Sequence, residues 1–242
     1  MAPQASLSIL VPAFNEEERL EQTIDTIRQA TSMTVADIEI LVVDDGSTDR
    51  TGVIARRLQS EDPRIRLITN QTNLGLGGSY RRGLFEARKA YFIYIPGDNS
   101  WPALSLARII GNLGRADVIT SYATNPEVRL GYRRIVSTLY TQLVNLLFGF
   151  ELKYYNGLTI YPVSFLRRHP PTTSGFGFQA QVLVYALAAR LSVVEVGVPI
   201  EEDAGRRSRA ITMRNIVSVG RTLVAMFWAL RVRGVLRAVP AA

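Results

Sequence analysis

The chain has 242 residues, 47% of them apolar, which is enough for one large domain with a sizeable core. It has no cysteine and one histidine, His169, which excludes a disulfide framework, a Cys-ligated zinc or redox site and a His-rich metal cluster, so any metal must be held by oxygen. The net charge of +7 is uneven: residues 1–120 carry 13 Lys/Arg against 15 Asp/Glu and residues 121–242 carry 15 against 6, so the second half suits an anionic surface, be it nucleic acid, diphosphate or lipid.

In chain order, "LSILVPAF" reads as a buried strand, and "EEERLEQTIDTIRQAT" as a helix with Leu20, Ile24 and Ile27 on one face. "DIEILVVDD" is a second buried strand, followed by "STDRTGVIARRLQSE", a helix opened by Ser47 or Thr48 as cap. "RIRLIT" is a strand, "GGSYRRGLFEARKA" a helix and "YFIYIP" a fourth strand. This alternation predicts a doubly wound, mainly parallel α/β sheet with ligands at the carboxyl ends of its strands.

The second half is less regular. "YRRIVSTLYTQLVNLLFG" is helical, with Ile135, Leu139, Leu143 and Leu146 on one stripe; "GFQAQVLVYALAARL" is a helix, "SVVEVGVPIEE" a strand, and "TMRNIVSVGRTLVAMFWALRVRG" a final helical stretch after an Arg cluster. No repeat, low-complexity segment or linker divides the chain, which gives one domain over 1–210 and a basic amphipathic helical extension over 211–242. The N-terminus lacks a basic start followed by a long apolar core, so no signal peptide is expected, and no uncharged window reaches the roughly 18 to 20 apolar residues of a spanning helix.

Three stretches fall where the carboxyl edge of such a sheet gathers them: "VPAFNEEE", "VVDDGSTDRT" and "GDN". Singly each has a plain reading, Asp44 to Ser47 as an Asx turn with a helix cap, Asn15-Glu16 as a helix start. Together they put Glu16, Asp44, Asp45 and Asp98 at one edge, where mutual repulsion calls for a cation or donor groups. The run "NLGLGGSYRRG" has Tyr80 where a dinucleotide fingerprint needs its third glycine, and reads as a loop that approaches a ligand or neighbouring backbone before a helix; no P-loop is present.

"SILVPAFNEEERL", "EILVVDDGSTDRT", "NLGLGGSYRRGLFEA" and "GDN", in this order and spacing, resemble glycosyltransferase family 2, inverting enzymes of the GT-A nucleotide-diphospho-sugar fold. "RRIVSTLYTQLVNLLFG", "YYNGLTIYPVSFL" and "GFGFQAQVLVYALAARLSVVEVGVPI" resemble its dolichol-phosphate mannose synthase branch, which extends the likeness over nearly the whole chain. The resemblance implies that Pro12, Ala13, Phe14, Glu16, Asp44, Asp45 and Gly77 form the nucleotide pocket. It also implies that Asp98, the second aspartate of the family's Asp-x-Asp, binds Mg²⁺ or Mn²⁺, with Gln179 where other members carry an acidic catalytic neighbour. Pro96 stands in place of the first aspartate, and Thr159 where the branch commonly has an arginine. The branch's closing basic signature is met loosely by "AGRRSRA", so Arg206, Ser208 and Arg209, with Arg133 and Arg134, are the expected grip on an acceptor phosphate.

The implied activity is transfer of a sugar from a nucleotide diphosphate to a polyprenyl phosphate at the cytoplasmic membrane face, with an anionic membrane surface and no nucleic acid as partner. Such a phosphate, with a second pKa of about 6, is ionised at neutral pH and needs no strong base, in keeping with His169 as a loop residue in "RRHPP". The arginines that bracket both late helical stripes suit an anionic interface; core or dimer contact is the alternative, and a homo-oligomer is left open. The rival functions are a family 2 transferase with a glycolipid or polysaccharide acceptor, and a catalytically impaired membrane-surface binding protein, suggested by Pro96.

Overall fold

Ser6–Ala13 (β1) and Asp37–Asp44 (β2) are buried at nearly every position and largely apolar because both faces of each strand are covered. The computed structural model describes residues 6–32, 37–128, 131–173, 177–201 and 213–232, with side chains of the last segment described for 217–230. Seven strands form one sheet: β1, β2, Ile65–Thr69 (β3), Tyr91–Tyr94 (β4), Val118–Ala123 (β5), Thr159–Pro162 (β6) and Val193–Val198 (β7), in the order β3-β2-β1-β4-β6-β5-β7. Strands β3, β2, β1 and β4 are parallel; β6 is antiparallel to both its neighbours, and β5 pairs in parallel with β7. Two reversals cancel, so β5 and β7 point the same way as β4.

Successive strand residues point to opposite faces, and two cores result. On one face Leu7, Ile9, Val11, Ile40 and Val42 meet Leu20, Ile24 and Ile27 of α1 (Leu20–Ser32), Ala55 and Leu58 of α2 (Thr51–Glu61), and Leu106 and Ile109 of α4 (Ala103–Ile110). On the other, Leu10, Leu41, Val43 and Phe92 meet α3 (Gly75–Glu86), α5 (Gly131–Phe148), α6 (Val163–Arg168), α7 (Phe178–Ala188) and α8 (Met213–Phe227). Leu223 and Met226 place α8 in that core. A π-helical turn, Trp228–Val232, continues α8.

Several local expectations change. Helix α2 starts at Thr51 with Arg50 in the cap position and no side-chain cap; Ser47 and Thr48 are taken by the neighbouring loop, where Asn15 N–H donates to Ser47 Oγ (3.1 Å) and Thr48 N–H donates to Asn15 Oδ1 (2.9 Å). Gly75 to Gly78 begin α3 rather than forming a loop before it. The α5 stripe does not belong to the core: Ile135, Leu139, Leu143 and Leu146 are between 45% and 82% exposed, while Val144 and Phe148 face inward. On α8, Val224, Phe227 and the following Trp228 are exposed as well. Among the described residues no helix is long and apolar enough to cross a membrane.

At the opposite end of the sheet, Asp62 follows α2 and leads into β3. It accepts hydrogen bonds from Arg64 Nε (2.9 Å) and Nη2 (2.8 Å) and from Arg28 Nε (3.2 Å) with its side chain nearly buried. The Arg64 guanidinium, against the cost of burial and with help from the Arg64 amide and Arg28, holds this carboxyl far below the usual aspartate range. A depressed folded-state pKa contributes stability above the unfolded value, about 3.9, that is lost as pH falls toward the folded one. Asp62→Asn is therefore expected to lower stability at pH 7 and to flatten the acid limb of the stability profile below about pH 4, read by urea unfolding across pH. An unchanged limb would contradict this role.

Candidate functional site at the carboxyl edge of the sheet

The loops after β1, β2 and β4 lie side by side because these strands are adjacent and parallel. The Asp45 N–H donates to Ala13 O (2.9 Å), the Ile95 N–H to Leu10 O (2.8 Å) and the Gly97 N–H to Pro12 O (3.3 Å), so the pairing runs past the ends of the strands into the loops. The first two loops are also laced together by side chains. Glu16 N–H donates to Thr51 Oγ1 (2.9 Å), Glu17 N–H to Asp49 Oδ2 (3.2 Å) and Arg50 N–H to Glu17 Oε2 (3.0 Å).

The two carboxylates of "DDGS" are buried and engaged. Asp44 Oδ1 accepts from the Ser47 N–H (3.0 Å), the Asx-type turn expected from the sequence; Asp45 Oδ1 accepts from Asn70 Nδ2 (2.7 Å) and from the Leu74 N–H (2.9 Å). Asp45 thus ties the β3–α3 connection to the end of β2. Gly46 makes the turn at φ +73°, with the position of a Cβ 2.9 Å from the Thr72 carbonyl carbon, so a side chain fits neither the backbone nor the space. Beside this floor Phe14 is exposed, Pro12 and Glu16 are half-buried and Ala13 is buried.

Asp98 leads out of β4 between Gly97 and Asn99. A Cβ on Gly97 would lie 2.9 Å from Pro12 O, so glycine allows the two loops to touch. Asn99 sits in the left-handed region, φ +52°, with its Oδ1 accepting from Thr26 Oγ1 (2.8 Å), which anchors the loop to α1. Asp98 itself is half-buried; its Oδ1 accepts from the Ser100 N–H (3.2 Å) and its carbonyl from Arg19 Nη1 (3.4 Å). Among the described residues no three Asp, Glu, His or Cys side chains converge as a metal cage. The Asp98 carboxylate offers hard oxygen, one anchor of the kind Mg²⁺ or Mn²⁺ accepts when phosphate and water supply the rest.

Of the expected site residues, Pro12, Ala13, Phe14, Glu16, Asp44, Asp45 and Asp98 are brought to one edge, and Gly77 lies in the first turn of α3, which starts at that edge. Gln179 is in the first turn of α7 and lines a small cleft with Tyr80, Tyr94, Thr159, Tyr161 and Phe178. Arg133 and Arg134 are in the first turn of α5, which starts eight residues after β5 leaves the sheet at the same edge. Arg206, Ser208 and Arg209 lie outside the described residues. The sequence reading missed the cleft aromatics and Asn70, which come from separate elements at no fixed spacing. Tyr94 of "YFIYIP" and Tyr161 of "LTIYP", both on the strand face that meets α3 and α7, are the signal that was there.

Removing the Asp45 carboxylate leaves the Leu74 amide without its acceptor and Asn70 Nδ2 with the longer contact to Ser79 Oγ (3.4 Å). Asp45→Ala is expected to destabilise the fold by about 1–3 kcal/mol in urea unfolding, the cost of an orphaned donor. An Asp45→Ala protein as stable as the original would mean that the loop does not depend on this carboxylate.

A family model described as "Glycosyl transferase family 2" matches residues 8–170. Over 96% of its length the chain is 27% identical to glycosyltransferase AglD of Haloferax volcanii, spanning only 38% of that protein. Over 90% it is 27% identical to the undecaprenyl-phosphate mannosyltransferase of Micrococcus luteus, covering 94% of that one. Among solved structures, glucosyl-3-phosphoglycerate synthase of Mycobacterium tuberculosis, in complex with Mn²⁺, UDP-glucose and phosphoglyceric acid, superposes with a TM-score of 0.68 over 93% of this chain and 79% of that one, at 21% identity. That likeness gives the GT-A type of fold, and the match over residues 8–170 gives the family: the chain belongs to glycosyl transferase family 2.

Proposed function

We propose that this glycosyltransferase moves a sugar, with inversion, from a nucleotide diphosphate to a polyprenyl phosphate at an anionic membrane surface, on the cytoplasmic side. The observation that carries the acceptor half of this reading is the exposed apolar stripe of α5. It starts beside Arg133 and Arg134 at the edge that holds Asp98 and runs the length of an 18-residue helix, about 27 Å. Exposed apolar patches of this extent mark interaction surfaces, and one headed by arginine suits an anionic interface. The mannosyltransferase of Micrococcus luteus, whose name specifies an undecaprenyl phosphate, supports the same acceptor class.

The chemistry divides along the sheet. Over β2 and β1, the floor built by Pro12, Ala13, Asp44 and Asp45, with Phe14, Glu16 and the start of α3 at Gly77, receives the nucleoside. At β4, Asp98 would hold Mg²⁺ or Mn²⁺, which would supply neutralisation of the charge on the leaving diphosphate. Over β6 and β5, Arg133 and Arg134 hold the acceptor phosphate with its oxygen toward the anomeric carbon; Arg206, Ser208 and Arg209, outside the described residues, are proposed for the same phosphate from their sequence alone. Gln179 orients the sugar. The acceptor is already an anion, so no residue has to remove a proton.

Undecaprenyl phosphate in anionic liposomes, presented with uridine- and guanosine-diphosphate sugars, is expected to become glycosylated with release of the nucleotide diphosphate. Asp98→Asn should reduce the rate by about 100-fold or more, as loss of a charge-stabilising group does. By calorimetry Mn²⁺ should bind measurably only when nucleotide diphosphate is present, because one carboxylate is a weak site alone. Nucleotide binding without transfer would favour the impaired-binding reading that Pro96 suggests, and transfer only to a glycan acceptor would favour the polysaccharide reading.

A further inference from the structure

Between β4, β6, α3 and α7 a small cleft opens, lined by Tyr80, Tyr94, Thr159, Tyr161, Phe178 and Gln179, with room for a group about the size of a water molecule. Its walls are rigid. The Tyr80 ring lies 4.9 Å from Phe178 and 5.2 Å from Phe92, the Tyr94 ring 6.0 Å from Phe178, all in tilted or edge-on contact, and Thr159 Oγ1 is fixed 2.8 Å from Thr120 Oγ1. Every described lining residue is uncharged, and each polar one, a phenol, a hydroxyl or an amide, can both donate and accept. Burial raises the Tyr80 and Tyr161 phenols above their ordinary range, and burial with the Asp98 charge does the same for Tyr94, so all three stay neutral. Tyr94 also locates the cleft: it stands four residues before Asp98 and within its electrostatic reach.

We infer that this cleft selects the donor by receiving the hydroxymethyl arm of a neutral hexose and refusing the carboxylate of a hexuronic acid. The inference rests on the transfer reading above, which puts the anomeric carbon beside Asp98. The hydroxyl end of a hydroxymethyl group matches the cleft in size, with its methylene at the mouth, and finds partners for both its donor and its acceptor. A carboxylate is larger, only accepts, brings an ionic charge to a wall with no described cation, and faces Asp98. A pentose, with no sixth carbon, leaves the cleft unfilled.

The test compares binding of intact nucleotide sugars to the full chain with Mn²⁺ and no acceptor, by calorimetry: UDP-glucose, UDP-glucuronic acid and UDP-xylose, and in parallel GDP-mannose and GDP-mannuronic acid, each set against the bare diphosphate. In whichever base series binds, the uronic acid is expected to be weaker than the hexose by about tenfold or more, the cost of an unpaired charge. Xylose should lose several-fold in the uridine series. Tyr161→Phe should narrow the gap between the hexose and UDP-xylose, leaving UDP affinity unchanged. Equal affinity for hexose and hexuronic acid overturns the inference and leaves the transfer reading intact, whereas absence of binding by any nucleotide overturns both.

Discussion

Strand β1 lies between β2 and β4, all three running the same way, with Ala13 level with Asp44 and Leu10 level with Tyr94. From this register the rest of the site follows. It makes the loops after the three strands neighbours, and the ladder continues into them through Ala13 O, Leu10 O and Pro12 O. Each such bond is worth only about 0.5–1.5 kcal/mol net, but leaving a buried member unpaired costs more, so the loops are held by the penalty for moving them. The lacing of Asn15 to Ser47 and Thr48, and of Asp45 to Asn70 and Leu74, adds the loop after β3 to those after β1 and β2, and the Gly97–Pro12 bond joins the loop after β4 to the same preorganised floor. Gly97 and the left-handed Asn99 answer the same need, close approach to Pro12 and a sharp exit that aims Asp98 along the edge.

Among the described residues, part of the second half's positive charge approaches the edge where the acidic loops lie. Acidic loops cluster at β2, β1 and β4, while Arg133 and Arg134 enter from the β5 side and Lys153, which precedes β6, lies over the Tyr122 ring at 4.3 Å. The apolar residues exposed on α5 and α8 extend from the basic side.

Which parts of this were legible in the sequence depends on where the information lies. Strands β1 and β2 are covered on both faces and so read as apolar runs, interrupted inside by Ser8 and Glu39, which hydrogen-bond to each other. Strands β5 and β6 went unread because Thr120 and Thr159 pair with each other inside the sheet, and a buried pair of hydroxyls looks like loop composition. Ser47 and Thr48 suit a helix cap, but Asn15, thirty-odd residues away, claims them, a tertiary fact beyond local pattern. The α5 stripe was visible as a stripe; its exposure was not, since periodicity says which residues share a face and not what covers it. Asp44, Asp45 and Asp98 were found because strand ends are positions the sequence marks. The aromatic cleft was not, because four elements contribute to it.

The central claim, that the loops after β1, β2 and β4 form the donor site as one unit, is tested most directly by hydrogen–deuterium exchange with and without nucleotide diphosphate and Mn²⁺. The account predicts that protection on binding concentrates in 12–17, 44–51, 70–77 and 97–100, rising together with ligand concentration, while α5 is unchanged. Protection confined to one loop, or centred on α5 and α8, would contradict it.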